Sequence, residues 1–203
     1  TNPLTQEMMY SNTVTSIKHL GNLFYGRKYH SKQEYFRSSN LIPSSKRLND
    51  ILNPNLSNHL YLTSNEEFKP MGLSFHSNIK TCTKSLEAPH FILHNPNIKN
   101  HDVLFFKKMI GDVKMNIQLH FLNDKLFFIH NEIRHHLLHT YTKNEEFLRL
   151  MLERYHTNSL KEYDNRDLVL RDSFGNNIFT SNQVCFGISY LSNSPIFKQE
   201  AES

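Results

Sequence analysis

This sequence predicts an α+β fold, an antiparallel β-meander packed by short helices, and three observations lead to it. The first is the run 113–129, VKMNIQLHFLNDKLFFI. There Met115, Ile117, Leu119 and Phe121 alternate with Lys114, Asn116, Gln118 and His120. A period of two is that of a strand with a buried face and a wet face, so the first set is expected in the core and the second toward solvent or a partner. The second is Asn123-Asp124, turn chemistry that folds Lys125, Leu126, Phe127, Phe128 and Ile129 back as the returning strand of a hairpin. The third is a set of short apolar stripes at helical spacing on both sides of this hairpin.

Taken in order, residues 4–25 place Met8, Met9, Ile17, Leu20 and Leu23 for one or two helices, interrupted by Gly21 and Gly26. Ser44-Ser45 marks a helix start for 46–52, with Leu48, Ile51 and Leu52 on one face and Asn53-Pro54-Asn55 as the stop. The polar stretch 57–70 reads as a connector. Ser77 is placed to cap a short helix bearing Ile79, Cys82 and Leu86, which ends near Pro89. Residues 103–108 have strand composition, and Ile110-Gly111-Asp112 supplies a turn before the hairpin. Thr142 and Glu145 form a capping box for a helix striped by Phe147, Leu148, Met151, Leu152 and Tyr155. A strand at 168–170 leads into the turn cluster 172–177. Val184, Phe186, Ile188 and Tyr190 then alternate with Cys185, Gly187 and Ser189 as one more half-buried strand. The expected organisation is a basic, partly helical or extended region over 1–69, a sheet domain over 70–194 and a flexible tail over 195–203.

Composition narrows the function classes. At 203 residues with 38% hydrophobic content, the chain holds one ordinary core, or a small domain with a long arm. Six glycines and no tryptophan argue against a glycine-rich nucleotide-binding fold. Cys82 and Cys185 form no metal-type pair and are expected as reduced, buried thiols, with one disulfide as the alternative. No apolar run is long enough for a membrane span, and the first residues lack a signal-peptide pattern. A cytoplasmic location is the expectation; the missing initiator Met leaves a removed leader open. Charge is concentrated. Of the net +4, residues 16–49 carry seven basic side chains (Lys18, Arg27, Lys28, Lys32, Arg37, Lys46, Arg47) against the single acid Glu34, which leaves the remainder at −2.

The string Gly72-Leu73-Ser74, a short helix ending Leu86-Glu87-Ala88-Pro89, and then a strand and a hairpin form a recognisable pattern. Over 72–133 it resembles the small outer-membrane assembly lipoproteins of the BamE/SmpA type and β-lactamase-inhibitor-protein-like repeats. Glu87 stands where that pattern has glycine, the spacing is a few residues longer, and no lipobox cysteine lies near the start. The resemblance implies an antiparallel meander whose sheet and helices bind proteins without a catalytic centre.

Two groups of residues are candidate sites. In the basic arm, Phe24, Tyr25, Tyr29, Tyr35 and Phe36 interleave with Arg27, Lys28, Lys32 and Arg37, and Lys46 and Arg47 follow. Cations with aromatic rings suit RNA or single-stranded DNA, a protein partner, or an ordinary solvated face. Arg27, Lys28, Tyr29, Lys32, Tyr35, Arg37, Lys46 and Arg47 are the expected partner-binding set. The second group is histidine-rich: His130, His135, His136 and His139, near Glu132. His135 and His139 would stand one turn apart on a helix and could share a metal with His130, or with His101, His120 or His156. His136 occupies the place of the glutamate in a zinc-protease helix, and a polar connector explains the same residues. No nucleophile elbow or phosphate loop is present, and Glu145, Glu146, Asp164, Asp167 and Asp172 fit helix-start and turn positions. The expectation is a non-enzymatic accessory protein, without cofactor or catalytic residue, that works through protein–protein contacts in a larger assembly. A nucleic-acid-associated protein using 16–49 and a histidine-centred metal enzyme are the alternatives.

Overall fold

The computed structural model describes residues 31–55, 60–110, 113–134, 153–155, 168–182 and 186–202. The chain divides into two compact units, 1–41 and 42–203. In the first, helix α1 (Lys32–Ser38) starts on Ser31, whose hydroxyl accepts the Glu34 N–H at 3.1 Å, and it buries Phe36. The second unit holds α2 (Ser45–Leu52), β1 (Leu60–Thr63), a 3-10 turn (Pro70–Gly72), α3 (Ile79–Leu86), β2 (Phe91–His94), β3 (His101–Ile110), β4 (Val113–Leu122), β5 (Lys125–Arg134), β6 (Leu168–Arg171), β7 (Asn177–Asn182), β8 (Phe186–Leu191) and α4 (Pro195–Glu202). The fold is α+β: the eight strands form one sheet in the order β1-β6-β7-β8-β5-β4-β3-β2. Every pairing is antiparallel except β1 with β6.

The central hairpin is the one expected. Val113–Leu122 pairs with Lys125–Arg134, and Asn123 and Asp124 both take positive φ (48° and 60°), as a two-residue turn matched to strand twist requires. Met115, Ile117, Leu119 and Phe121 are buried in one cluster. With them are Leu104 and Phe106 of β3, Leu126, Ile129 and Ile133 of β5, and Phe186, Ile188 and Tyr190 of β8. Cys82 and Leu86 of α3 join this cluster, as do Phe68, Leu73 and Tyr155. We call this the front of the sheet.

The back differs from expectation. Lys114 is exposed and Asn116 half-buried, but Gln118 is 7% exposed and His120 is wholly buried. The polar side of this strand is therefore covered along half its length. Leu48 and Leu52 of α2 and Phe197 of α4 are buried there, and α2 lies against α4. A β-bulge at His120/Phe121 leaves Phe127 without a partner in the register. Phe127 and Phe128 thereby both turn to the back, within 6.4 Å and 5.1 Å of the His120 ring centroid, and Phe127 meets Phe197 at 5.5 Å.

Further differences follow from contacts distant in sequence. The expected connector 57–70 contains β1 and buried Phe68, whose N–H donates to Asp172 Oδ2 at 3.0 Å; residues 56–59 lie outside the described set. Residues 195–202 are a helix anchored by Phe197, where a flexible tail was expected. The expected boundary at 69/70 falls inside the second unit. Asn78, one residue after Ser77, caps α3 by accepting the Thr81 N–H at 2.8 Å. β7 had no sequence counterpart. The expected helices within 4–25 and at 142–152, together with Cys185, lie outside the described residues; Cys82 is a free, buried thiol. No helix among the described residues is long and apolar enough to cross a membrane.

Candidate functional site

Of the expected partner-binding residues, Arg27, Lys28 and Tyr29 lie outside the described residues. Lys32 and Arg37 are exposed on α1, while Tyr35 is half-buried and meets the buried Phe36 ring edge-on at 5.1 Å. Lys46 and Arg47 are exposed in the first turn of α2, where the Ser44 hydroxyl accepts the Arg47 N–H at 3.3 Å. That turn holds no acidic side chain. Beside it opens a cleft of about 450 Å³ between α2, the 98–100 bend, the β4–β5 turn and α4; Leu48 and Leu122 form its floor, and Lys99 and Glu200 are its charges.

The histidine group that could share a metal lies mostly outside the described residues. His135 and His139 lie outside them, as do His136 and His156. His130 sits on the back of β5, with Nδ1 2.8 Å from Ser189 Oγ. No group of three or more His, Cys, Asp or Glu side chains among the described residues is arranged to hold a metal.

A different constellation occupies the back of the sheet. The β3–β4 register pairs Val103 with His120 and His101 with Leu122, so the two histidines are diagonal neighbours on one face. Their rings stack with centroids 5.4 Å apart, and His101 Nε2 lies 3.1 Å from His120 Nδ1. His101 Nδ1 is 2.8 Å from Asn95 Nδ2, and the same nitrogen donates to the Ile42 carbonyl at 2.8 Å. His120 Nε2 and Asn116 Oδ1 are buried without a hydrogen-bond partner. Burial pushes the His101 pKa down to about 4 against the opposing pull of Asp102. Burial holds His120 well below the usual imidazole range, helped by His101 and His130. Burial also brings His130 to about 4, opposed by Glu132. All three rings are therefore neutral at pH 7, fitted to hydrogen bonding rather than to carrying charge.

In the sequence His101 and His120 stand out only as spare metal ligands, and His120 also as part of the polar side of the central strand; Asn95 carries no signal there. The available signal was the pair of histidines on strands joined by a short turn; which residues face each other depends on the register and on what covers the face. No protein-family model matches this chain, and no curated protein or solved structure matches it.

Proposed function

We propose that this chain is a non-catalytic accessory protein that binds another protein through the basic side chains of 16–49. The placement of Lys46 and Arg47 carries the proposal. Both stand exposed in the first turn of α2, the end of a helix where the macrodipole disfavours cations. Helix stability does not account for them, whereas an acidic partner surface does. Arg37, in the last turn of α1, is where the dipole favours it. A protein is preferred to a nucleic acid because Phe36 is buried and Tyr35 packs on it. The rings of this described stretch are thus occupied in packing, where base stacking would need them open. The resemblance of 72–133 to protein-binding families points the same way, and the reduced Cys82 suits the cytoplasm.

The test is affinity capture with the full chain at physiological salt, with and without nuclease, beside a variant carrying Arg27, Lys28, Lys32, Arg37, Lys46 and Arg47 all as Ser. A saturable protein partner that survives nuclease and is lost with the variant supports the proposal. Loss on nuclease treatment replaces it with the nucleic-acid alternative, and stoichiometric zinc in the purified chain replaces it with a metal enzyme.

A further inference from the structure

We infer that Asn95, His101 and His120 form an acid-sensitive clasp, which holds the segment entering α2 onto the back of the sheet and lets it go when either histidine takes up a proton. Both amide hydrogens of Asn95 are committed, one to the Ile42 carbonyl and one to His101 Nδ1, each at 2.8 Å. An amide nitrogen only donates, so His101 Nδ1 accepts and this ring carries its proton on Nε2. That proton faces His120 Nδ1 at 3.1 Å, which must accept in turn, so His120 carries its proton on the buried, unpartnered Nε2. The amide orientation is fixed independently, because Asn95 Oδ1 accepts the Asn97 N–H at 3.0 Å. Asn97 adds a second hold, donating from Nδ2 to the Pro43 carbonyl at 3.0 Å. Residues 42 and 43 immediately precede Ser44, the cap of α2.

A second proton has no place in this chain of donors. On His101 it must sit on Nδ1, against the Asn95 amide hydrogens. On His120 it must sit on Nδ1, against the Nε2–H of His101. Turning the Asn95 amide would set its oxygen against the Ile42 carbonyl and withdraw it from Asn97. A proton on His101 therefore costs the Asn95–His101 bond or, if the amide turns, the tie to residue 42. A proton on His120 costs the His101–His120 bond or, if the His101 proton moves to Nδ1 to keep it, passes the same conflict on to Asn95. The hold on residue 42 weakens in each case.

The charged and titratable groups that act on the pair lie on β3 itself and on β5. Asp102, itself 2.6 Å from His94, favours a charged His101; His130 on β5 disfavours a charged His120; Glu132 acts on His130. The nearby Phe127 and Phe128 rings add no charge, and Lys99 and Glu200 line the cleft beside α2. Burial outweighs Asp102, so the closed clasp is neutral. Once opened, each histidine regains its ordinary affinity for protons. Below pH 6.5 and down to about 4 the opening constant therefore rises about tenfold per pH unit for each histidine that ionises, and above 6.5 it is flat. This goes beyond partner binding and holds whether or not α2 meets a partner.

Native-state hydrogen exchange on the full chain between pH 7.5 and 5, corrected for intrinsic rates, tests the clasp. The Leu48 and Asn53 amides report α2 and the Cys82 amide reports α3. The expected result is a flat α2 opening constant down to about pH 6.5, then a rise of ten- to a hundredfold per unit that α3 does not share. A parallel response of α2 and α3, or no response in α2, overturns the inference. Nitrogen NMR of the imidazoles adds a readout that needs no variant: both rings should be Nε2–H tautomers, neutral at pH 6, and either ring found charged or protonated on Nδ1 there overturns it equally. In the His101→Leu, His120→Phe double variant the α2 response should vanish; a folded variant that keeps it refutes the clasp.

Discussion

The two faces of the sheet are covered by different chemistry. On the front, Leu104, Ile117, Leu119, Phe121 and Ile129 meet α3 and Phe68 in an apolar cluster, with few polar groups to satisfy. On the back, His101, Gln118, His120 and Asn177 are buried among Leu48, Leu122, Phe127, Leu191 and Phe197. The front is held by area removed from water. The back must also pair its polar atoms, because a buried donor or acceptor without a partner costs about 1–3 kcal/mol. Asn95 and His101 meet that demand in full, while His120 leaves one nitrogen unmet. A period-two pattern thus tells which residues share a face; whether that face is wet depends on what lies over it.

The sharpest way to break this comparison is to remove packing from the front. Leu119→Ala should cost about 2–5 kcal/mol in urea unfolding at pH 7, since Leu119 is wholly buried in the cluster. A loss under about 1 kcal/mol would mean that the front is not closely packed.

The back should respond instead to acid. His101 and His130 have folded pKa values lowered to about 4, and His120 is lowered as well. Between pH 4 and 6.5 the unfolded chain binds protons that the folded chain does not. The stability contributed by neutral burial is therefore present above pH 6.5 and lost as pH falls toward 4, by roughly 3 kcal/mol for His101 alone. Unfolding free energies at pH 7 and pH 4.5 measure this, and His101→Leu should make the profile shallower by about one proton's share, His120 and His130 keeping the rest. An unchanged slope in that variant would place the acid lability elsewhere.

A smaller effect tests the front from its rim. Glu87 ends α3 with φ 74° and ψ −170°, a conformation that only glycine adopts without strain. Glu87→Gly should gain about 1 kcal/mol, since the exposed 3.2 Å pair with Lys108 that it forfeits contributes little. A destabilised variant would show that this pair outweighs the backbone strain. The smallest effect belongs to the rim of the back: Lys46→Ser with Arg47→Ser should change stability by less than about 0.5 kcal/mol while weakening partner capture. A large loss of stability would mean that these exposed cations hold α2 in place.

The sequence by itself determined the local structure. The alternation of Met115 to Phe121 and the Asn123-Asp124 turn set the central hairpin, and Ser44 set the start of α2, because strand period, turn conformation and capping are short-range effects. It also showed Lys46 and Arg47 as part of a basic cluster, since charge distribution is read along the chain. Only the tertiary structure decided that Gln118 and His120 are covered, that β1 joins β6 in parallel, that Phe197 anchors a terminal helix, and that Asn95, His101 and His120 form one line of hydrogen bonds. These depend on residues such as 42, 48 and 197 arriving from far along the chain. Their arrival is governed by long-range packing, and no window of neighbouring residues carries that information.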